Sequence, residues 1–163
     1  NNYENIDATI YGFDITGTYS FTDELYLDFG LAYQRGKKDK AMNGQTDKDL
    51  ANITPAKLNL GLNYDYMASG TARMEMVAVD SWRDYDDDNG EQKLPGYAGL
   101  NLKVTHDLTK NFEVTLGLDN AFDKTYAINN TYKDLILLTD GTGEVMLINE
   151  PGRYYYINGT YSF

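Results

Sequence analysis

The chain has 163 residues, no cysteine, 15 tyrosines, 15 glycines and a formal net charge of −11. The missing cysteines exclude a disulfide framework and a thiolate metal site, and the acidic balance excludes a nucleic-acid surface, which needs clustered Lys and Arg. No stretch reaches the roughly 18–20 apolar residues of a membrane helix, the longest aliphatic run being Leu135-Ile136-Leu137-Leu138.

The opening Asn1-Asn2-Tyr3-Glu4 has neither the basic start nor the apolar stretch of a signal peptide. From there an alternation with period two recurs along the chain. Tyr11, Phe13, Ile15, Tyr19 and Phe21 oppose Gly12, Asp14, Thr16, Thr18 and Ser20. Leu25, Leu27, Phe29, Leu31 and Tyr33 form the second apolar row, and Leu58, Leu60, Leu62 and Tyr64 the third. The fourth row is less regular, because Val77 and Val79 share a face with Arg73 and Glu75. Leu100, Leu102 and Val104, then Val114, Leu116 and Leu118, continue the pattern, and Tyr155, Ile157, Gly159, Tyr161 and Phe163 close it. A helix would scatter these residues around its axis. Seven strands are predicted, over 8–21, 24–36, 55–68, 71–83, 96–107, 111–126 and 144–163. Each is long enough to cross a bilayer, which takes about 9–11 tilted residues.

The connections alternate as strictly as the side chains. Phe21–Leu25, Met67–Gly70 and Leu108–Asn111 are tight turns, whereas 36–55, 84–96 and 127–143 are long. Membrane barrels have short periplasmic turns on one rim and extended loops on the other. The expected fold is therefore all-β: an antiparallel, up-and-down transmembrane β-barrel segment of seven strands. Thr22, Ser69 and Lys110 belong at one rim, and Lys40, Asp87 and Thr139 at the other. Leu60 and Leu116 should face lipid, with Asn59, Asn63 and Thr115 inside, so that an arginine at Asn63 should be mild.

Three motifs carry a family resemblance. Leu118-Asp119-Asn120-Ala121-Phe122-Asp123-Lys124-Thr125-Tyr126 resembles the Asn-Leu-Phe-Asp-Lys-x-Tyr signature of TonB-dependent outer-membrane receptors. Glu150-Pro151-Gly152-Arg153 is similar to the sequence that opens their last strand, and Tyr161-Ser162-Phe163 to their terminal aromatic pattern. These residues are read as serving folding and barrel closure, with Asp123 and Lys124 capping the sixth strand. Ala32-Tyr33-Gln34-Arg35-Gly36, with 55–64, also resembles the copper-type subgroup. The resemblance implies a 22-stranded barrel with an N-terminal plug. Residues 1–163 are then expected to be its C-terminal segment, without the plug domain and incomplete without the rest of the barrel. It further implies residence in the bacterial outer membrane, among lipid and lipopolysaccharide. TonB would be contacted through an N-terminal segment, the barrel-assembly machinery through the last strand, and nucleic acid not at all. The implied function is TonB-coupled uptake of a metal chelate or ion such as siderophore-iron, haem or copper. A passive channel or surface-binding barrel, or a soluble all-β binding domain, are the alternatives; no constellation of an enzyme appears.

One loop has the composition of a ligand site. Asp84, Asp86, Asp87, Asp88 and Glu91 crowd carboxylates as calcium loops do, although Gly90 and Pro95 depart from the EF-hand pattern. Weak calcium binding is the one cofactor expected there. Trp82 is read as an interfacial girdle residue and His106 as an interfacial residue without catalytic partners. Met74 and Met76 are assigned to lipid packing. Gly141-Thr142-Gly143 is read as a hairpin tip.

Overall fold

Seven strands form one antiparallel sheet in the computed structural model, which describes residues 5–128 and 148–163. These are β1 (Ala8–Ser20), β2 (Leu25–Lys38), β3 (Lys57–Tyr66), β4 (Gly70–Val79), β5 (Tyr97–Thr109), β6 (Phe112–Asp119) and β7 (Tyr154–Tyr161). They lie side by side in chain order, with β1 and β7 at the two edges of an open sheet. The up-and-down order expected from the alternating connections is the one observed. Thr139 and the Gly141-Thr142-Gly143 tip lie outside the described residues.

The register joins like rows across the sheet. Leu27, Leu62, Met74, Leu102, Leu118 and Tyr155 stand opposite one another in succession. One residue along, Tyr26, Asn63, Arg73, Lys103, Gly117 and Tyr156 make the corresponding polar row. Side chains alternate between faces, so a slip of one residue in any strand would exchange its two rows. Met74 and Met76 lie on the apolar face, as expected. No protein layer covers that face among the described residues: Ile15 is 52% exposed, Leu116 53% and Ile157 74%. Among the described residues the buried hydrophobic side chains are Leu94 and Ala127, both outside the strands. Apolar surface this extensive needs lipid or another apolar layer to cover it. The soluble-domain alternative would require that second layer.

The two ends differ as the alternation demands. Thr22 accepts hydrogen bonds at Oγ1 from the amides of Glu24 (3.2 Å) and Leu25 (3.0 Å), closing the β1–β2 turn. Thr109 repeats the device with Asn111 (3.2 Å) and Phe112 (3.0 Å) between β5 and β6. The chain end lies beside that turn, Asn111 Nδ2 donating to the Ser162 carbonyl at 2.7 Å. Tyr19–Phe21, Tyr66–His106 and Tyr161–Phe163 form ring pairs along this rim, as an interfacial aromatic belt would.

Several boundaries shift from the sequence reading. β6 stops at Asp119 rather than 126, because Asn120 (φ 50°) and Asp123 (φ 53°) adopt the left-handed conformation that ends a ladder. Asp123 and Lys124 therefore sit in a turn just beyond the strand. β7 begins at Tyr154, with 148–153 outside the ladder. β4 ends at Val79 instead of 83, since Trp82 pairs with Leu94 in an isolated bridge of the loop. β2 runs to Lys38.

Candidate functional site

The functional features gather at the end carrying the long connections. Loop 39–56 turns back along β2, where the Lys38 amide donates to the Lys48 carbonyl at 2.7 Å and Gln34 Nε2 to Thr54 Oγ1 at 2.8 Å. Loop 80–96 contains the acidic stretch, wound into a short 3₁₀ turn over Asp87–Asn89 that ends at Gly90 (φ 81°). Gly90 can take that left-handed φ because it has no Cβ.

Four of the five carboxylates read as possible ligand or calcium contacts have partners within the protein. Asp84 forms an ion pair with Arg35. Asp86 Oδ2 accepts from Lys38 Nζ at 2.8 Å, with both side chains buried. Glu91, 2% exposed, accepts from its own loop at the Asp86 amide (2.8 Å) and from the neighbouring loop at the Asn52 amide (2.7 Å). Asp88 Oδ2 accepts from the amides of Thr46 (2.8 Å) and Asp47 (2.7 Å). Those two amides hold the Asp88 carboxyl below the ordinary aspartate range. Asp87 contributes its backbone, donating to Asp47 Oδ2 at 3.0 Å. The like-charge crowding read from the sequence is thus relieved by Lys38, Arg35 and four backbone amides. No group of three or more His, Cys, Asp or Glu placed to hold a metal occurs among the described residues. Lys38 is the residue that sequence reasoning missed. Its signal was faint: one more lysine at the end of a polar row.

The family-signature residues also come together. Asn120 accepts from the Lys124 amide at 2.8 Å and donates to the carbonyls of Lys124 (2.8 Å) and Pro151 (3.3 Å). Asp123 accepts from the Arg153 amide at 2.9 Å and lies 3.9 Å from its guanidinium. A Cβ on Gly152 would come within 2.8 Å of the Asp123 carboxylate. The Glu150 amide donates to the Tyr126 carbonyl at 2.8 Å. Tyr126 stacks on Tyr97, with centroids 4.0 Å apart, and burial first, then the Glu150 carboxylate, pushes its phenol up. The two segments form one staple between the outer ends of β6 and β7, while Phe122 and Phe163 remain exposed.

Between these features and the polar face lies a groove of about 730 Å³, lined by Ile10, Gln34, Pro55, Lys57, Val79, Trp82 and Tyr97 among others. Trp82, bridged through its backbone to Leu94, lines this groove. Further along the polar face, Arg73 donates to Asp28 (2.9 Å), Asn63 (2.8 Å) and Glu75 (3.0 Å). His106 stacks on Tyr66 at the opposite rim, far in the register from this site.

A family profile described as "TonB dependent receptor-like, beta-barrel" matches residues 1–121. The vitamin B12 transporter BtuB of Photobacterium profundum is 29% identical over 160 residues, covering 98% of this chain and 22% of that protein. The ferric enterobactin receptor of Pseudomonas aeruginosa is 29% identical over 174 residues, covering 99% and 22% respectively. The chain thus spans between a fifth and a quarter of the relatives' length. Among solved structures, the copper transporter OprC superposes with a TM-score of 0.83 at 25% identity, over 98% of this chain and 24% of that one. The ferric citrate transporter FecA superposes with a TM-score of 0.73 at 16% identity, over 96% and 24%, a likeness of fold. The unlayered apolar face, the two unlike rims and these matches have one explanation: the chain belongs to the TonB-dependent receptor-like β-barrel family of the outer membrane, and its sheet is a length of barrel wall.

Proposed function

We propose that this wall belongs to a TonB-coupled importer of a metal chelate and that the groove beneath the outer loops contacts the chelate's organic body. The groove carries the reading. Trp82, Tyr97, Pro55 and Val79 offer flat and apolar surface, and Gln34 and Lys57 add polar and cationic groups at its side. Ligand sites combine such linings, with a few polar groups setting orientation. A bare metal ion would ask for clustered soft or imidazole donors, whereas Met74 and Met76 stand in the apolar rows opposite Leu102 and Leu100. Coupling to TonB would run through an N-terminal segment and a plug, and assembly through the last strand.

The test uses the complete receptor expressed in cells lacking competing importers. Accumulation of ferric enterobactin, ferric citrate, cobalamin and ionic copper is compared with and without TonB. The expected result is accumulation of a chelate that requires TonB. Trp82→Ala should weaken its binding about tenfold, the scale of one lost aromatic contact, at unchanged receptor abundance. Uptake indifferent to TonB would make the barrel a passive channel. Uptake of ionic copper alone, unaffected by Trp82→Ala, would remove the chelate reading.

A further inference from the structure

The loops 39–56 and 80–96 are separated by two whole strands in sequence, yet hydrogen bonds tie them directly to one another. Asp88 receives two amides of the first loop, Asp47 receives one of the second, and Glu91 bridges the Asp86 and Asn52 amides. Beneath them the buried Lys38–Asp86 pair joins the end of β2 to the second loop, and Arg35 reaches both, contacting Asp49 (3.2 Å) and Asp84. We propose that these two loops form a single cooperative unit, a charge-clasped rim segment that opens and closes as one body.

The chemistry of the clasp makes partial opening unfavourable. Glu91 and Asp86 are buried carboxyl groups, Glu91 held by one amide of its own loop and one of the other, Asp86 by Lys38. Lifting the first loop alone takes the Asn52 amide from the buried Glu91 carboxylate, and lifting the second alone takes Asp86 from Lys38 and Asp88 from the Thr46 and Asp47 amides, the expensive way to break such contacts. Lifting both together exposes every group to water at once. The unit also spans the groove: Thr54 and Pro55 line it from the first loop and Trp82 from the second. A ligand touching either side would therefore stiffen both. Surface loops of this length without such ties open independently, close to the low end of local stability.

The experiment is amide hydrogen exchange on the complete receptor in lipid nanodiscs, independent of what it transports. Glu91→Gln exchanges one acceptor oxygen for an amide nitrogen that cannot accept. Exchange should rise about tenfold across residues 46–52 as well as 84–91, while the β3 and β4 amides keep their protection. Asp88→Ala removes an exposed carboxylate that the wall does not need for folding, and it decides the matter alone if Glu91→Gln fails to assemble. As a unit, the loops should also lose protection at Asn52 and at the Trp82–Leu94 bridge, beyond the reach of Asp88's own bonds. Faster exchange confined to Thr46 and Asp47 in Asp88→Ala, or to 84–91 in Glu91→Gln, would show two separate loops and overturn the proposal.

Discussion

Leu60 and Asn63 stand three positions apart on β3 and face opposite solvents. Leu60 lies between Phe29 and Met76 in the apolar rows. An arginine there should destabilise the barrel by about 2–4 kcal/mol, as charges do near the midplane of the lipid face. Asn63 was expected from its polar row to be forgiving, but it is 4% exposed and bonded to both Asp28 and Arg73. An arginine at that position would set a second guanidinium beside Arg73 and break three hydrogen bonds, to Asp28, Arg73 and the Gly61 carbonyl. We expect Asn63→Arg to cost about as much as Leu60→Arg, and Thr115→Arg on the same polar face to cost less. Urea unfolding midpoints of the complete receptor in vesicles would rank the three. The period-two pattern makes facing legible, but not which polar positions are already spoken for, because that depends on which row of the neighbouring strand lies alongside.

Gly61 shows the same limit at the level of the strand. A Cβ there would lie 2.3 Å from Arg73 Nη2, so the bare backbone of β3 is the bed on which the guanidinium crosses to Asp28. On β5, a Cβ at Gly99 would meet nothing within 4 Å. Gly61→Ala should push Arg73 off its partners and cost about 1–3 kcal/mol, while Gly99→Ala should be neutral or stabilising by about 0.5 kcal/mol through the unfolded chain. A matched pair of unfolding curves checks both, and equal effects would refute the bed. The strands themselves were readable from their alternation, to within a few residues at each end. The shortfalls came where a polar side chain replaces the ladder: Asn120 ends β6 by satisfying Lys124 and Pro151, and Trp82 leaves β4 to bridge Leu94. Within the acidic loop, composition showed the charges. The cation that answers them, Lys38, lies 48 residues before Asp86 and could be placed only by the fold.

For the molecule as a whole, the separation of short turns and long loops onto opposite rims predicts a sidedness that intact cells can report. Cysteine at Asp87 should react with an impermeant maleimide and cysteine at Lys110 should not; the reverse would invert the barrel in its membrane. Chain-order strand pairing has a kinetic consequence as well. The β1–β2 connection is residues 21–24, while the β2–β3 connection, residues 39–56, is more than four times as long. Each doubling of a flexible loop adds only about 0.6 kcal/mol of closure entropy. The three short-turn hairpins should therefore form first and dock afterwards, with the delay between those steps costing little in final stability. Added length in an outer loop is therefore cheap for the wall, and what constrains loops 39–56 and 80–96 is the set of contacts between them rather than their span.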